Sequence, residues 1–101
     1  MKLDERRYEE FLPLVGTSFW AEFPNGAKVE LRVDEVLKVM ESEAARLSRT
    51  AFTIRFSGPL SFHLKQGIYQ LRHEAFPEPM GLFMVPIAQT AESYTYEVVF
   101  T

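Results

Sequence analysis

The stretch Thr17-Ser-Phe-Trp-Ala-Glu-Phe-Pro-Asn-Gly-Ala-Lys-Val-Glu-Leu-Arg-Val33 decides the fold, because it contains two alternating segments around a turn. The first segment places apolar side chains on one face, formed by Phe19, Ala21 and Phe23. The second segment continues the alternation, with an apolar face formed by Val29, Leu31 and Val33. Asn-Gly between alternating segments is a strong hairpin signal, since both residues tolerate positive φ. We therefore predict an antiparallel hairpin.

The returning strand is long and contains one irregularity. Asp34-Glu35 interrupts the alternation, which predicts a β-bulge at that point. The strand is expected to continue to about Met40, followed by a polar turn or short helical piece from Glu41 to Thr50. A helix from Val36 to Leu47 is the competing interpretation, because apolar side chains there also fit the helical period.

Further strands follow along the chain. The clearest is Ala51–Ser57, with a predicted core face of Phe52, Ile54 and Phe56. The next is Ile68–Glu74, with Tyr69, Leu71 and His73 on one face. Leu82–Ala88 is apolar throughout, so we expect it to be buried on both sides, with Pro86 requiring a bulge or an unpaired amide. The last strand is Ser93–Phe100.

A short helix is predicted at the N-terminus, from Leu3 to Leu12, with Asp4 as its cap and Pro13 at its end. The chain is then mainly β, with about six antiparallel strands. We expect these strands to roll into a small barrel plugged by the helix, since closure protects the sheet edges. A half-open sandwich is the alternative. The predicted organisation is one domain over 1–101, with helix and turn in 1–14 and the barrel-like core in 15–101.

Composition excludes several classes of function. The 101 residues contain no cysteine, which rules out disulfides, thiolate nucleophiles and iron–sulfur clusters. The net charge of −3 lacks the basic excess typical of nucleic-acid and anionic-membrane binders. No apolar run approaches the roughly 18 residues that cross a bilayer, and the first ten residues do not form a signal peptide. The chain is expected to be cytoplasmic, with no membrane partner.

Several segments together resemble a family of short bacterial domains of unknown function. They are Phe11–Phe19, Phe52–Pro59, Gln66–His73, Gly81–Ile87 and Tyr96–Thr101. The resemblance implies a single-domain fold and brings no catalytic residues with it. It also implies an association with bacterial gene neighbourhoods that contain phage-tail-like proteins.

His73 is the residue on which an enzymatic function would depend. Its position in the alternation points it inward or to the barrel rim. A general base at His73 would need an orienting carboxylate, and Glu35 is the candidate, since it occupies an apolar-face position of its strand. Glu74 is a poorer candidate because it points to the opposite face. We favour the interpretation that neutral His73 forms a hydrogen bond with a loop carbonyl and so holds the proline-rich turn in place. We therefore predict no catalytic residue.

A metal or cofactor site is not predicted. His63 and His73 are the only histidines, and a zinc site needs three or four ligands. Ser57 and Ser61 do not stand in the Gly-x-Ser-x-Gly frame of an exposed nucleophile. The five glycines are scattered singly, so no phosphate-binding loop is indicated.

Two surface features remain as candidates for binding. Arginines on outward faces could form an anion or oligonucleotide site, although cross-strand ion pairs are favoured for them: Arg32, Arg55 and Arg72. Outward apolar side chains could form an interaction surface, unless the N-terminal helix covers them: Trp20, Ile68 and Val99. We predict a non-catalytic protein-interaction or assembly subunit, which is homo-oligomeric or bound to another protein. The alternatives are a small ligand-binding domain or enzyme centred on His73 and Glu35, and an oligonucleotide-binding barrel.

Overall fold

A computed structural model describes residues 8–38 and 51–100. A short helix, α1 (Tyr8–Phe11), is followed by a 3-10 turn over Leu12–Leu14. The strands are β1 (Ser18–Glu22), β2 (Lys28–Lys38), β3 (Phe52–Gly58), β4 (Gly67–Arg72), β5 (Met80–Gln89) and β6 (Tyr94–Phe100).

The strands form a closed antiparallel barrel in the order β1-β2-β3-β6-β5-β4. Closure requires two pairings between strands that are distant in sequence. β1 pairs with β4, where Ala21 is opposite Leu71, and β3 pairs with β6, where Phe56 is opposite Tyr96. The predicted barrel is therefore confirmed, and the half-open sandwich is not formed.

The barrel consists of two three-stranded halves, β1–β3 and β4–β6. Exchanging β1 with β4, β2 with β5 and β3 with β6 leaves the strand order of the ring unchanged. β3 and β4 lie three steps apart in either direction around the six-stranded ring, so residues 59–66 must cross one end of the barrel to connect them. We call this end the crossing end, and the opposite end, where α1 lies, the helix end.

The interior is filled by alternate side chains of every strand. The core face predicted for β3 is confirmed, because Phe52, Ile54 and Phe56 are completely buried. The same alternation buries Phe19 and Ala21 in β1 and Tyr96 and Val98 in β6. One shared interior thus follows from the two-residue period of the strands.

The first hairpin forms where Asn25-Gly26 predicted it. Five residues separate the last pair, Glu22 and Lys28, so the turn is longer than the two-residue type. Only Gly26 has a positive φ, at 88°, while Asn25 accepts the amide hydrogen of Ala27 with its side-chain oxygen. Glycine supplies the left-handed conformation, and asparagine closes the turn.

Both predicted bulges are present. The β2–β3 register shifts between Val33 and Glu35, and the β5–β6 register shifts between Pro86 and Ala88. The expectation that Leu82–Ala88 is buried on both sides is wrong, because Phe83 and Ile87 are exposed. A closed barrel has one interior, and only the side chains that point into it, such as Leu82 and Met84, are buried.

The helix end is closed by aromatic rings. Phe11 of α1 is buried, and its ring centroid lies 5.5 Å from Phe52, 5.1 Å from Phe100 and 5.5 Å from Phe76. Pro13 does not end the helical segment as predicted, since the 3-10 turn continues to Leu14. The start of the predicted helix and the predicted continuation from Val39 to Thr50 lie outside the described residues.

The crossing end is closed by the connection between the two halves. Leu64 is the buried residue of this connection. Its amide donates a hydrogen bond of 3.0 Å to the hydroxyl of buried Tyr96. Closer to the surface, the ring of Phe62 lies 5.7 Å from that of Phe23, and the Tyr69 hydroxyl donates to Lys65 O at 2.6 Å, so several contacts hold the connection across the barrel.

Candidate functional site

His73 lies at the helix end, directly after β4, and only 4% of its surface is exposed. Its ring centroid is 4.7 Å from that of Phe19 and 6.2 Å from that of Phe76. The inward direction predicted from the alternation of β4 is thus observed. A polar ring in this apolar setting needs hydrogen-bond partners.

Both ring nitrogens of His73 have such partners. Nε2 lies 2.8 Å from Oγ1 of Thr17, and this hydroxyl donates its own hydrogen to the carbonyl oxygen of Leu14 at 2.6 Å. Nε2–H must therefore donate to Thr17. Nδ1 accepts the amide hydrogen of Ala75 at 2.9 Å. These contacts fit the neutral imidazole protonated at Nε2.

His73 therefore holds the turn after β4, as predicted, although the atoms differ from those predicted. The imidazole accepts a loop amide hydrogen instead of donating to a loop carbonyl. Burial lowers the pKa of His73, and the neighbouring carboxylate of Glu74 raises it by less. Neither nitrogen has a free lone pair to serve as a general base in this arrangement.

Glu35 does not join His73. The β2 bulge turns its side chain outward, so its expected place on the apolar face is wrong; the carboxylate is exposed and lies 3.4 Å from Arg55. Among the described residues, the hydrogen bonds of the His73 ring are those to Thr17 and Ala75.

The other candidate reactive residues are also far from forming a cluster. His63 is in the connection at the crossing end, with its ring 4.7 Å from that of Tyr94. Ser57 donates a hydrogen bond to Asp34 on the outer surface, and Ser61 lies in an exposed loop. Within residues 8–38 and 51–100, no group of three His, Asp or Glu side chains is placed to hold a metal ion.

Two of the outward arginines, Arg55 and Arg72, form the predicted cross-strand ion pairs. Arg55 lies 3.4 Å from both Glu35 and Glu97, and Arg72 donates to Glu22 at 2.7 Å. The hydrogen bond from Arg72 lowers the pKa of Glu22. Two of the three arginines are therefore neutralised by neighbouring carboxylates.

Trp20 borders a surface pocket of about 410 Å³ beside His73. The other lining residues are Thr17, Ser18, Arg72, His73, Glu74 and Phe76. The hydroxyl groups in the pocket are already bonded, Thr17 to Leu14 and Ser18 to Glu30. The pocket therefore offers an indole that is 42% exposed, but its polar groups are largely satisfied within the chain.

Ile68 and Val99 lie on another part of the barrel, separated from Trp20. Ile68 is paired directly with Phe83 of β5, and both point outward. The β5–β6 pairing ends at Val85–Glu97, and Phe83 and Val99 each lie two residues beyond that pair, on the outward face of their strand. We call Ile68, Phe83 and Val99 the outer strip. Their exposed fractions are 70%, 51% and 54%.

Trp20 is outside this strip because of its position on β1. It pairs with Arg72, four residues along β4 from Ile68, and the Arg72–Glu22 ion pair lies beside it. α1 covers none of these outward side chains, since Phe11 packs into the end of the barrel. Phe83 was missed as a named candidate, because Leu82–Ala88 is apolar throughout and its sequence does not show which side chains point outward.

Comparisons with other proteins locate the chain in a family. No helix in the described ranges is long and apolar enough to span a membrane. Neither the curated proteins nor the solved structures contain a match. A family model matches residues 6–100, nearly the whole chain, in agreement with the resemblance seen in the sequence. The chain therefore belongs to the family described as Domain of unknown function (DUF6916).

Proposed function

We propose that this protein is a non-catalytic assembly subunit that associates through the outer strip. The observation that supports the proposal is the direct pairing of Ile68 with Phe83, two large apolar side chains that are both more than half exposed. Together with exposed Val99 of the neighbouring β6, they form an apolar surface of the kind used for protein association.

The closed ring restricts how a partner can bind. Each strand of the described barrel is paired on both sides over part of its length, so only short segments of strand edge are left for an added strand. A partner must then contact side chains on the outside of the sheet. The outer strip is suited to this, because its members need no hydrogen-bond partner.

We take a second copy of the chain as the occupant. Two copies carry a net charge of −3 each and repel one another at long range. The outer strip is uncharged, its neighbours Gln70 and Gly81 on β4 and β5 are uncharged as well, and Glu97, two residues from Val99 on β6, is paired with Arg55. An uncharged strip can face its own copy in an isologous contact without opposing like charges.

The proposed setting is a bacterial cytoplasmic assembly. The sequence resemblance supports a tail-like structure as that assembly, in which many copies of a small domain are stacked. The ion pairing of Arg55 and Arg72 and the acidic net charge favour a protein partner over an oligonucleotide. The absence of a free lone pair on His73 favours binding over catalysis.

Light scattering and sedimentation over a wide range of concentrations test the proposal. We expect the mass to rise with concentration, and Phe83→Ser or Ile68→Ser to weaken the association by at least about tenfold. Ile87→Ser is the matched control, since Ile87 is also exposed on β5 but lies in its bulge, four residues from Phe83. A monomer at all concentrations, or equal weakening by Ile87→Ser, would contradict the proposal.

A further inference from the structure

His73 connects three separate segments at the helix end. It follows β4, it donates to Thr17 just before β1, and it accepts from Ala75 in the turn leading to β5. The carbonyl of His73 also accepts the amide hydrogen of Phe76 at 3.0 Å. This turn carries Phe76, whose ring packs against those of Phe11 and Phe19.

The two hydrogen bonds of the imidazole respond differently to a proton. Nε2–H donates to Thr17 whether the ring is neutral or charged. Nδ1 accepts from Ala75 only while it is unprotonated. A proton on Nδ1 would place two N–H groups against each other at the present separation of 2.9 Å.

We propose that His73 is a pH-sensitive latch: a proton on Nδ1 releases Ala75 and opens the turn over residues 73–79, and Phe76 then leaves the aromatic cluster at the helix end. The bond to Thr17 remains, so the opening is confined to the turn. The barrel strands keep their pairing, and acidification exposes apolar surface formed by Phe11, Phe19 and Phe76.

The charged groups around His73 set the direction of the response. Two charged residues, Arg72 and Glu74, line the adjoining pocket. The lining residues from β1 and the segment before it are uncharged: Thr17, Ser18 and Trp20. The two acidic residues of α1, Glu9 and Glu10, are not among the lining residues. Burial lowers the pKa of His73 more than the carboxylate of Glu74 raises it, so this pKa lies below its ordinary value of 6.5 in the closed state.

The sign of the pH dependence follows. When the turn is open, His73 takes up a proton more readily than when it is closed. The closed state is therefore fully favoured above about pH 6.5 and is progressively lost as the pH falls below that value.

The wild-type protein contains its own reporters. Trp20 is the only tryptophan and lines the same pocket, so its fluorescence senses the turn. We expect a fluorescence transition with a midpoint below pH 6.5, at the same pH at which the His73 ring titrates by NMR, with the far-UV circular dichroism unchanged. Loss of the far-UV signal at that midpoint would indicate general unfolding and would contradict the proposal that only the turn opens.

Two histidine variants provide the matched comparison. His73→Asn cannot titrate in this range, yet the asparagine oxygen can accept an amide hydrogen two residues ahead, as Nδ1 does from Ala75. We expect the fluorescence transition to disappear in this variant and to persist in His63→Asn, since His63 lies at the crossing end. A fluorescence transition that persists in His73→Asn would refute the proposal. Titration of the wild-type His73 ring without a fluorescence change would refute it as well, and this second test does not depend on the folding of a variant.

Discussion

The two ends of the barrel are closed by corresponding parts of its two halves but by different chemistry. Each end is covered by the segment that leads into the first strand of one half. The helix end is covered by α1 and its 3-10 turn, which precede β1, and the crossing end is covered by residues 59–66, which precede β4. At the helix end, the cover packs through the buried ring of Phe11, which is tilted by 39° against the ring of Phe52 and by 41° against that of Phe100. At the crossing end, the buried contacts of the cover are those of Leu64, whose amide donates to the Tyr96 hydroxyl, while its ring contacts involve the exposed residues Phe62 and His63.

This difference indicates where each end is vulnerable. Packing between aromatic rings spreads the stabilisation over many weak contacts, so the stabilisation depends on the volume and burial of the rings. A single hydrogen bond in a buried place depends on one pair of atoms, and its loss leaves a donor unsatisfied. We therefore expect the helix end to be sensitive to truncation of side chains and the crossing end to be sensitive to polar and steric changes.

The largest effect is expected from truncation at the helix end. Phe11→Ala removes a buried ring that contacts Phe52, Phe76 and Phe100, and should lower the free energy of unfolding by about 4 kcal/mol. Leu64→Ala at the crossing end should cost about 3 kcal/mol, because the side chain is smaller. Urea unfolding of both variants gives the two values, and a larger loss for Leu64→Ala would reverse the comparison.

A steric change should affect the crossing end next most strongly. A Cβ atom on buried Gly58 would lie 2.9 Å from Cε2 of Tyr96 and 3.0 Å from Cδ2 of Leu31. Gly58→Ala should therefore destabilise the fold by about 1–3 kcal/mol through overpacking. Gly67→Ala is the control at the same end, since its Cβ would meet only Lys65 O at 4.0 Å. Equal midpoints in urea for the two variants would show that the crowding at Gly58 is relieved without cost.

The smallest effect is expected from removing one hydroxyl group. Tyr96→Phe keeps the ring but leaves the amide of Leu64 without its acceptor, at a cost of about 1–2 kcal/mol. Hydrogen exchange should show faster exchange at the Leu64 amide, while the amides of β1 paired with β2 keep their protection. Tyr69→Phe, which removes an exposed hydroxyl that donates to Lys65 O, should cost less. An unchanged exchange rate at Leu64 would mean that another group takes over as acceptor.

Much of the barrel could be predicted because strand faces repeat every two residues. The alternation of Phe52, Ile54 and Phe56 identifies an inner face, and the interruption at Asp34-Glu35 identifies a bulge. Proline in β5 likewise marks the position where the ladder shifts. These features are local, so the sequence contains them directly.

The features that were not predicted depend on distant parts of the chain. Alternation shows which way a side chain points but not which strand is its neighbour, so the β1–β4 and β3–β6 pairings could not be read from it. Leu64 is buried because its segment must cross the barrel, not because of any local pattern. For the candidate site, the inward direction of His73 was predictable, whereas its bonds to Thr17 and Ala75 depend on the packing of the helix end.

The closed ring also bears on how fast the protein folds. Its hairpins bring together residues that are close in sequence, but the ring closes only when Ala21 meets Leu71, 50 positions away, and Phe56 meets Tyr96, 40 positions away. Such distant pairings impose loop-closure entropy before they contribute stability. The chain should accordingly fold on the slow timescale of milliseconds to seconds that is typical of barrels with high contact order.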